Sequence, residues 1–192
     1  MKNLTKNIFQ LLVAVLFVIT LSNCGDDEPV EPGNEEELIT TVNLTFAPTS
    51  GTAVTMKFYD EDGEDGPINP VITGGVLKSN TEYSVSVELL NESESPVEDI
   101  TEEIEEEDKE HQFFFQVSSA LNLTHSYDDQ DGDGNPVGLS NKMTTGDTST
   151  GTLTVILRHE PDKSATGVSG GDVTNAGGST DVDFDLSVSI ED

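Results

Sequence analysis

The chain has 192 residues, of which 38 are Asp or Glu and only eight are Lys or Arg, giving a formal net charge of −30. Nucleic-acid phosphates would be repelled by such a surface, so the charge points to cations, to basic partners or simply to solubility. With no Trp and three Tyr there are few rings to stack on sugars, and a single cysteine cannot close an internal disulfide.

In chain order, Lys2 and Lys6 precede an apolar run from Ile8 to Leu21, interrupted only by Gln10 and Thr20. This is the layout of a signal peptide over residues 1–23, too short and wrongly flanked for a good spanning helix. The segment Leu21-Ser22-Asn23-Cys24 resembles a bacterial lipobox, with Asn23 where Gly or Ala is usual. The resemblance implies that Cys24 is the lipidation site and the new N-terminus, carrying enough acyl chains to hold the protein on a membrane. A cleaved leader that leaves a free thiol is the alternative. Gly25-Asp26-Asp27-Glu28 resembles the surface-export signal of Bacteroidota lipoproteins, though the same carboxylates would keep any tether solvated. Residues 24–37 have Val30 as their only large apolar side chain, so they read as a disordered acidic stalk. Residues 38–192 then suffice for one domain with a sizeable core.

Period-two alternation dominates that domain. Val42, Leu44 and Phe46 form one apolar face, and Val54, Met56 and Phe58 a second, with a hairpin turn at Pro48-Thr49-Ser50-Gly51. A weaker strand over Val71–Leu77 is broken by Gly74 and Gly75. Strong strands follow at Tyr83–Leu89, Phe113–Val117, Leu121–Tyr127, Leu153–Leu157 and Val182–Ile190, with a doubtful edge strand at 139–145. Asp99 with Glu102 three residues on marks the one helix start, and the crowd of carboxylates beyond limits it to two or three turns. The expected fold is all-β: an antiparallel, immunoglobulin-like sandwich of seven or eight strands with one short acidic helix. The Gly- and Ser-rich stretch from Pro161 to Gly178 is long enough to expect a functional or mobile loop.

His111, His125 and His159 each fall in the apolar phase of their strands, so all three are expected to point inward. A tight turn at Ser118–Ala120 would place His125 opposite Phe113 and His111 opposite Tyr127, making the two histidines diagonal neighbours. Neutral imidazoles bind zinc and other divalent transition metals, commonly in threes at an open site. His111, His125 and His159 are thus candidate ligands, with Glu110 the first-choice carboxylate and Glu107 and Glu160 further donors. Alternatively each histidine lines the border between core and solvent.

Asp129, Asp131 and Asp133 match the opening of an EF-hand loop, but Ser140 occupies the twelfth position, where a Glu is required. A short calcium-binding turn is the lesser reading and a structural turn the greater, here and at Asp60–Gly66. No G-x-S-x-G, H-E-x-x-H or phosphate-cradling glycine pattern occurs, and a non-enzymatic protein is expected.

Several segments together resemble a set of small Bacteroidota lipoproteins. They are Glu37-Leu38-Ile39-Thr40-Thr41-Val42, Ser95-Pro96 through Glu103, Glu110-His111-Gln112-Phe113-Phe114-Phe115, Thr152–Val155 with Arg158-His159, and the region from Asp162-Lys163-Ser164-Ala165 to Asp181. Such proteins often carry the label "type 1 periplasmic-binding fold superfamily protein". That fold needs two α/β lobes, for which this chain has neither the length nor the helices. The resemblance implies an outer-membrane, lipid-anchored protein at the cell surface that binds a ligand, associated with a TonB-dependent receptor. An adhesion or assembly module of the outer membrane without a metal site is the alternative.

Overall fold

The computed structural model describes residues 37–63 and 66–192. The signal peptide, Cys24 and the stalk through residue 36 lie outside the described residues, as do Glu64 and Asp65 of one acidic turn. The compact unit runs from Glu36 to Asp192, so Glu37, which the sequence assigns to the stalk, belongs to the folded part.

Two sheets pack face to face. The strands are β1 (Thr41–Pro48), β2 (Val54–Tyr59), β3 (Val71–Thr73), β4 (Gly75–Lys78), β5 (Glu82–Asn91), β6 (Glu98–Asp99), β7 (His111–Val117), β8 (Leu123–Tyr127), β9 (Ser140–Thr145), β10 (Ser149–His159) and β11 (Ser179–Glu191), with helix α1 at Ile100–Glu106. One sheet runs β3-β2-β1-β5-β9-β8, with β6 also paired to β5, and the other runs β4-β11-β10-β7. Alternate side chains from the two sheets meet between them, as where Phe58 of β2 stacks on Phe184 of β11 at 4.7 Å. The expected all-β sandwich is therefore found. So is the hairpin between β1 and β2, which closes with Phe46 opposite Val54.

Three elements differ from the sequence reading, each for a physical reason. The interrupted strand at 71–77 is two strands, β3 and β4, placed at the edges of different sheets, and β4 pairs parallel with β11. The chain changes sheets at Gly74, where an added Cβ would lie 1.9 Å from the Ser187 carbonyl oxygen. The doubtful edge strand is β9, an interior strand between β5 and β8. Its inward residues Asn141 and Thr145 are polar but bonded, the Asn141 amide donating to Gly138 O and the Thr145 hydroxyl to Lys78 O. Polar side chains whose hydrogen bonds are met can occupy a core position.

The third difference bears on the site. Residues 118–120 do not join β7 and β8 as a hairpin, because β7 ends one sheet and β8 ends the other. β7 pairs instead with β10, from His111↔His159 to Val117↔Leu153. Helix α1 starts where the capping pattern places it, with the Asp99 carboxylate accepting the Thr101 amide, and buries Ile100 and Ile104. The long loop after β10 is packed down: Phe114 and Ile156, on the outer face of the four-stranded sheet, form a second small core with Val168 and Ala176. β7 is thereby covered on both faces, which explains its run of three phenylalanines.

Candidate metal centre

The β7–β10 ladder places His111 directly opposite His159, and both side chains point inward. Their rings stack at 4.7 Å with 14° between planes. His111 has no solvent exposure and His159 only 5%. The chain segment entering β1 brings Glu37 against them, its Oε1 3.5 Å from His111 Nε2. Potential ligand atoms of Glu37, His111 and His159 all lie within 4.8 Å of one another.

The hydrogen bonds fix which nitrogen is available. His111 Nδ1 lies 3.3 Å from the Glu107 carbonyl oxygen at the end of α1. A carbonyl only accepts, so Nδ1 carries the proton and Nε2 is the atom that faces Glu37. Nε2 itself makes no hydrogen bond, and the second Glu37 oxygen is also buried without one. A lone pair facing a carboxylate in a solvent-poor site is repulsive unless a cation lies between them. A proton is the minimal such cation. Accordingly, burial pushes the His111 imidazole down, but the Glu37 carboxylate and the Glu107 carbonyl outweigh it and hold the group above its usual range. Burial likewise pushes Glu37 up, and His111 outweighs it, so the carboxyl sits below its usual range. A divalent metal ion answers the same electrostatic need with two or more ligand bonds.

His125 points inward as expected but stands apart from this cluster. It lies on β8, in the other sheet, with its ring 4.6 Å from both Phe115 and Tyr127. Its Nε2 is 2.9 Å from Asn141 Oδ1. Because Asn141 spends its amide hydrogen on Gly138 O, Oδ1 must accept, and His125 Nε2 must donate. Burial lowers the imidazole pKa, against the Asn141 bond and the nearby Asp129. The diagonal approach of His111 and His125 expected from a hairpin is absent because the two strands belong to different sheets. Glu110 is exposed and groups with His159 and Glu160 rather than with His111.

In the acidic loop the cation is an ammonium. Lys163 Nζ donates to Asp131 Oδ2 at 3.0 Å, to Pro136 O at 3.1 Å and to Asp108 O. Asp131 Oδ1 accepts the amides of Asp133 and Asn135, while Asp129 accepts those of Val137, Gly138 and Ser140. Asp133 pairs with Lys109 at 3.0 Å. The three carboxylates offered as a calcium turn thus organise their own loop.

Glu37 is the ligand candidate that sequence reasoning missed. It lies outside any alternating pattern and meets His111 across 74 positions of chain, so no local signal marks it. Comparison with protein-family models, curated proteins and solved structures gives no match, so the functional reading rests on the residues themselves.

Proposed function

We propose that this is a non-enzymatic lipoprotein that binds a divalent transition metal, zinc first, through Glu37, His111 and His159. The observation that carries the reading is the buried His111 Nε2, turned toward Glu37 with no hydrogen bond and flanked by a second inward histidine. Two imidazoles and one carboxylate are a familiar zinc donor set that leaves a fourth position open. An open position suits a protein that must release its ion as well as hold it. Lipid at Cys24 would fasten the protein to the outer membrane, at the cell surface, and a TonB-dependent receptor is the partner that the lipoprotein resemblance suggests. Calorimetry on the lipid-free chain from residue 24, carrying Cys24→Ser, tests the metal. One zinc equivalent is expected, lost in His111→Ala and retained in His125→Ala; no binding at micromolar zinc ends the reading.

A second reading has its own observation. β3 and β4 are sheet edges, and Ile68, Val71, Ile72 and Val76 on and beside them are exposed. Apolar edge strands invite pairing with another chain, which fits an adhesion or assembly module. In that case crosslinking on intact membranes recovers an envelope protein even under chelator, and Ile72→Lys abolishes the product.

A further inference from the structure

His159 belongs to two groups of metal-binding side chains. One is the enclosed set with Glu37 and His111; the other adds Glu110 and Glu160, again with ligand atoms within 4.8 Å of one another. The sets differ in access. Both carboxylates of the second are exposed while His159 is buried, whereas the first contains two buried histidines and a carboxylate side chain only 6% exposed.

The outer set is held by backbone. The Glu160 amide donates to Glu110 O at 2.6 Å, extending the β7–β10 ladder beyond the His111↔His159 pair. Glu160 also has φ of 51°, a left-handed conformation uncommon for a non-glycine residue and one that turns the chain just after His159. The two carboxylates therefore flank the end of the strand pair whose last inward residues are the two histidines.

We propose that Glu110 and Glu160 form an outer station, where a divalent cation is first bound together with His159 before it passes to Glu37 and His111. This deepens the metal reading above and rests on it. A hydrated cation must exchange water for protein ligands before it enters a site that excludes solvent, since an ion stripped without replacement ligands meets a large desolvation cost. Exposed carboxylates are oxygen donors suited to a partly hydrated ion. His159 offers a ring common to both sets, so the ion stays ligated while oxygen donors exchange for the buried pair. His111 Nε2, enclosed and without a hydrogen bond, is the inner end of that route.

Stopped-flow mixing of the lipid-free chain with Zn²⁺ and a zinc-sensitive dye tests the route. Glu110→Gln with Glu160→Gln is expected to slow association at least about fivefold and dissociation by a similar factor, leaving affinity within about threefold. Glu102→Gln with Glu105→Gln removes the same charge from exposed positions of α1 and is expected to change the rate less than about twofold. An unchanged rate in the first variant overturns the outer station, as does equal slowing in the control. Two zinc equivalents held at once, or a loss of affinity beyond about tenfold in the first variant, overturn it too, because the carboxylates would then belong to a resting site. Absence of zinc binding by the unsubstituted chain is a different result, and it removes the metal reading itself.

Discussion

A buried imidazole has two nitrogens, and each needs a partner that matches its proton. At His125 the ring nitrogen Nε2 meets a neutral amide oxygen, and the Asn141 bond needs no ion. At His111 one nitrogen is satisfied by Glu107 and the other faces a carboxylate, so charge must be supplied. Glu37→Gln should therefore weaken zinc binding by at least about tenfold, while His125→Phe leaves it within about twofold, as competition with a chelating dye would measure. The metal-free protein also has a defined pH response. His111 is raised, so its contribution is full below the unfolded imidazole pKa and is lost as pH rises through the folded value. Glu37 is lowered, so its contribution is present above the unfolded carboxyl pKa and is lost as pH falls through the folded value. The stability difference between the native chain and Glu37→Gln, from urea titrations under chelator, should peak between about pH 4.5 and 6.5 and shrink on either side.

At the scale of elements, the long loop after β10 is held by one buried cation. Lys163 and Asp131 are 5% and 1% exposed at their side chains, and removing either partner strands the other. Lys163→Ala should cost about 3–5 kcal/mol, read from the urea midpoint. Gly74 is the other fixed point: Gly74→Ala drives a methyl into the Ser187 carbonyl and should cost about 1–3 kcal/mol, separating β4 from β11. Alternation in β1, β2, β5, β10 and β11 was legible in the sequence because each strand has one face in the core and one outside. β9 was harder because its inward Asn141 and Thr145 are polar, and the Thr145 partner, Lys78 O, lies far along the chain. The β7–β8 connection misleads because a short link, here residues 118–122, suits either a hairpin or a crossing between sheets. Inward phase at the histidines was readable for the same reason as the strands, but which of them meet depends on strand order, which phase does not encode. Glu37 required the fold outright.

Among the described residues most carboxylates are exposed and give the molecule an acidic surface. Asp131 is buried against Lys163 and accepts loop amides, whereas Asp60 is buried with one oxygen making no hydrogen bond. Mobile cations concentrate near such a surface, and salt weakens that attraction. Zinc association should therefore slow as ionic strength rises. If Cys24 bears lipid, Cys24→Ser should move the protein from the membrane fraction to the soluble one with its zinc binding intact, since the metal candidates all lie in the compact unit from Glu36 onward. The most direct test of the proposed centre is X-ray absorption at the zinc edge on the loaded, lipid-free chain. It should show two imidazole nitrogens and at least one oxygen, each about 2.0–2.2 Å from zinc, with one imidazole lost in His111→Ala. A shell of oxygens alone, or one unchanged by His111→Ala but altered by His125→Ala, would contradict it.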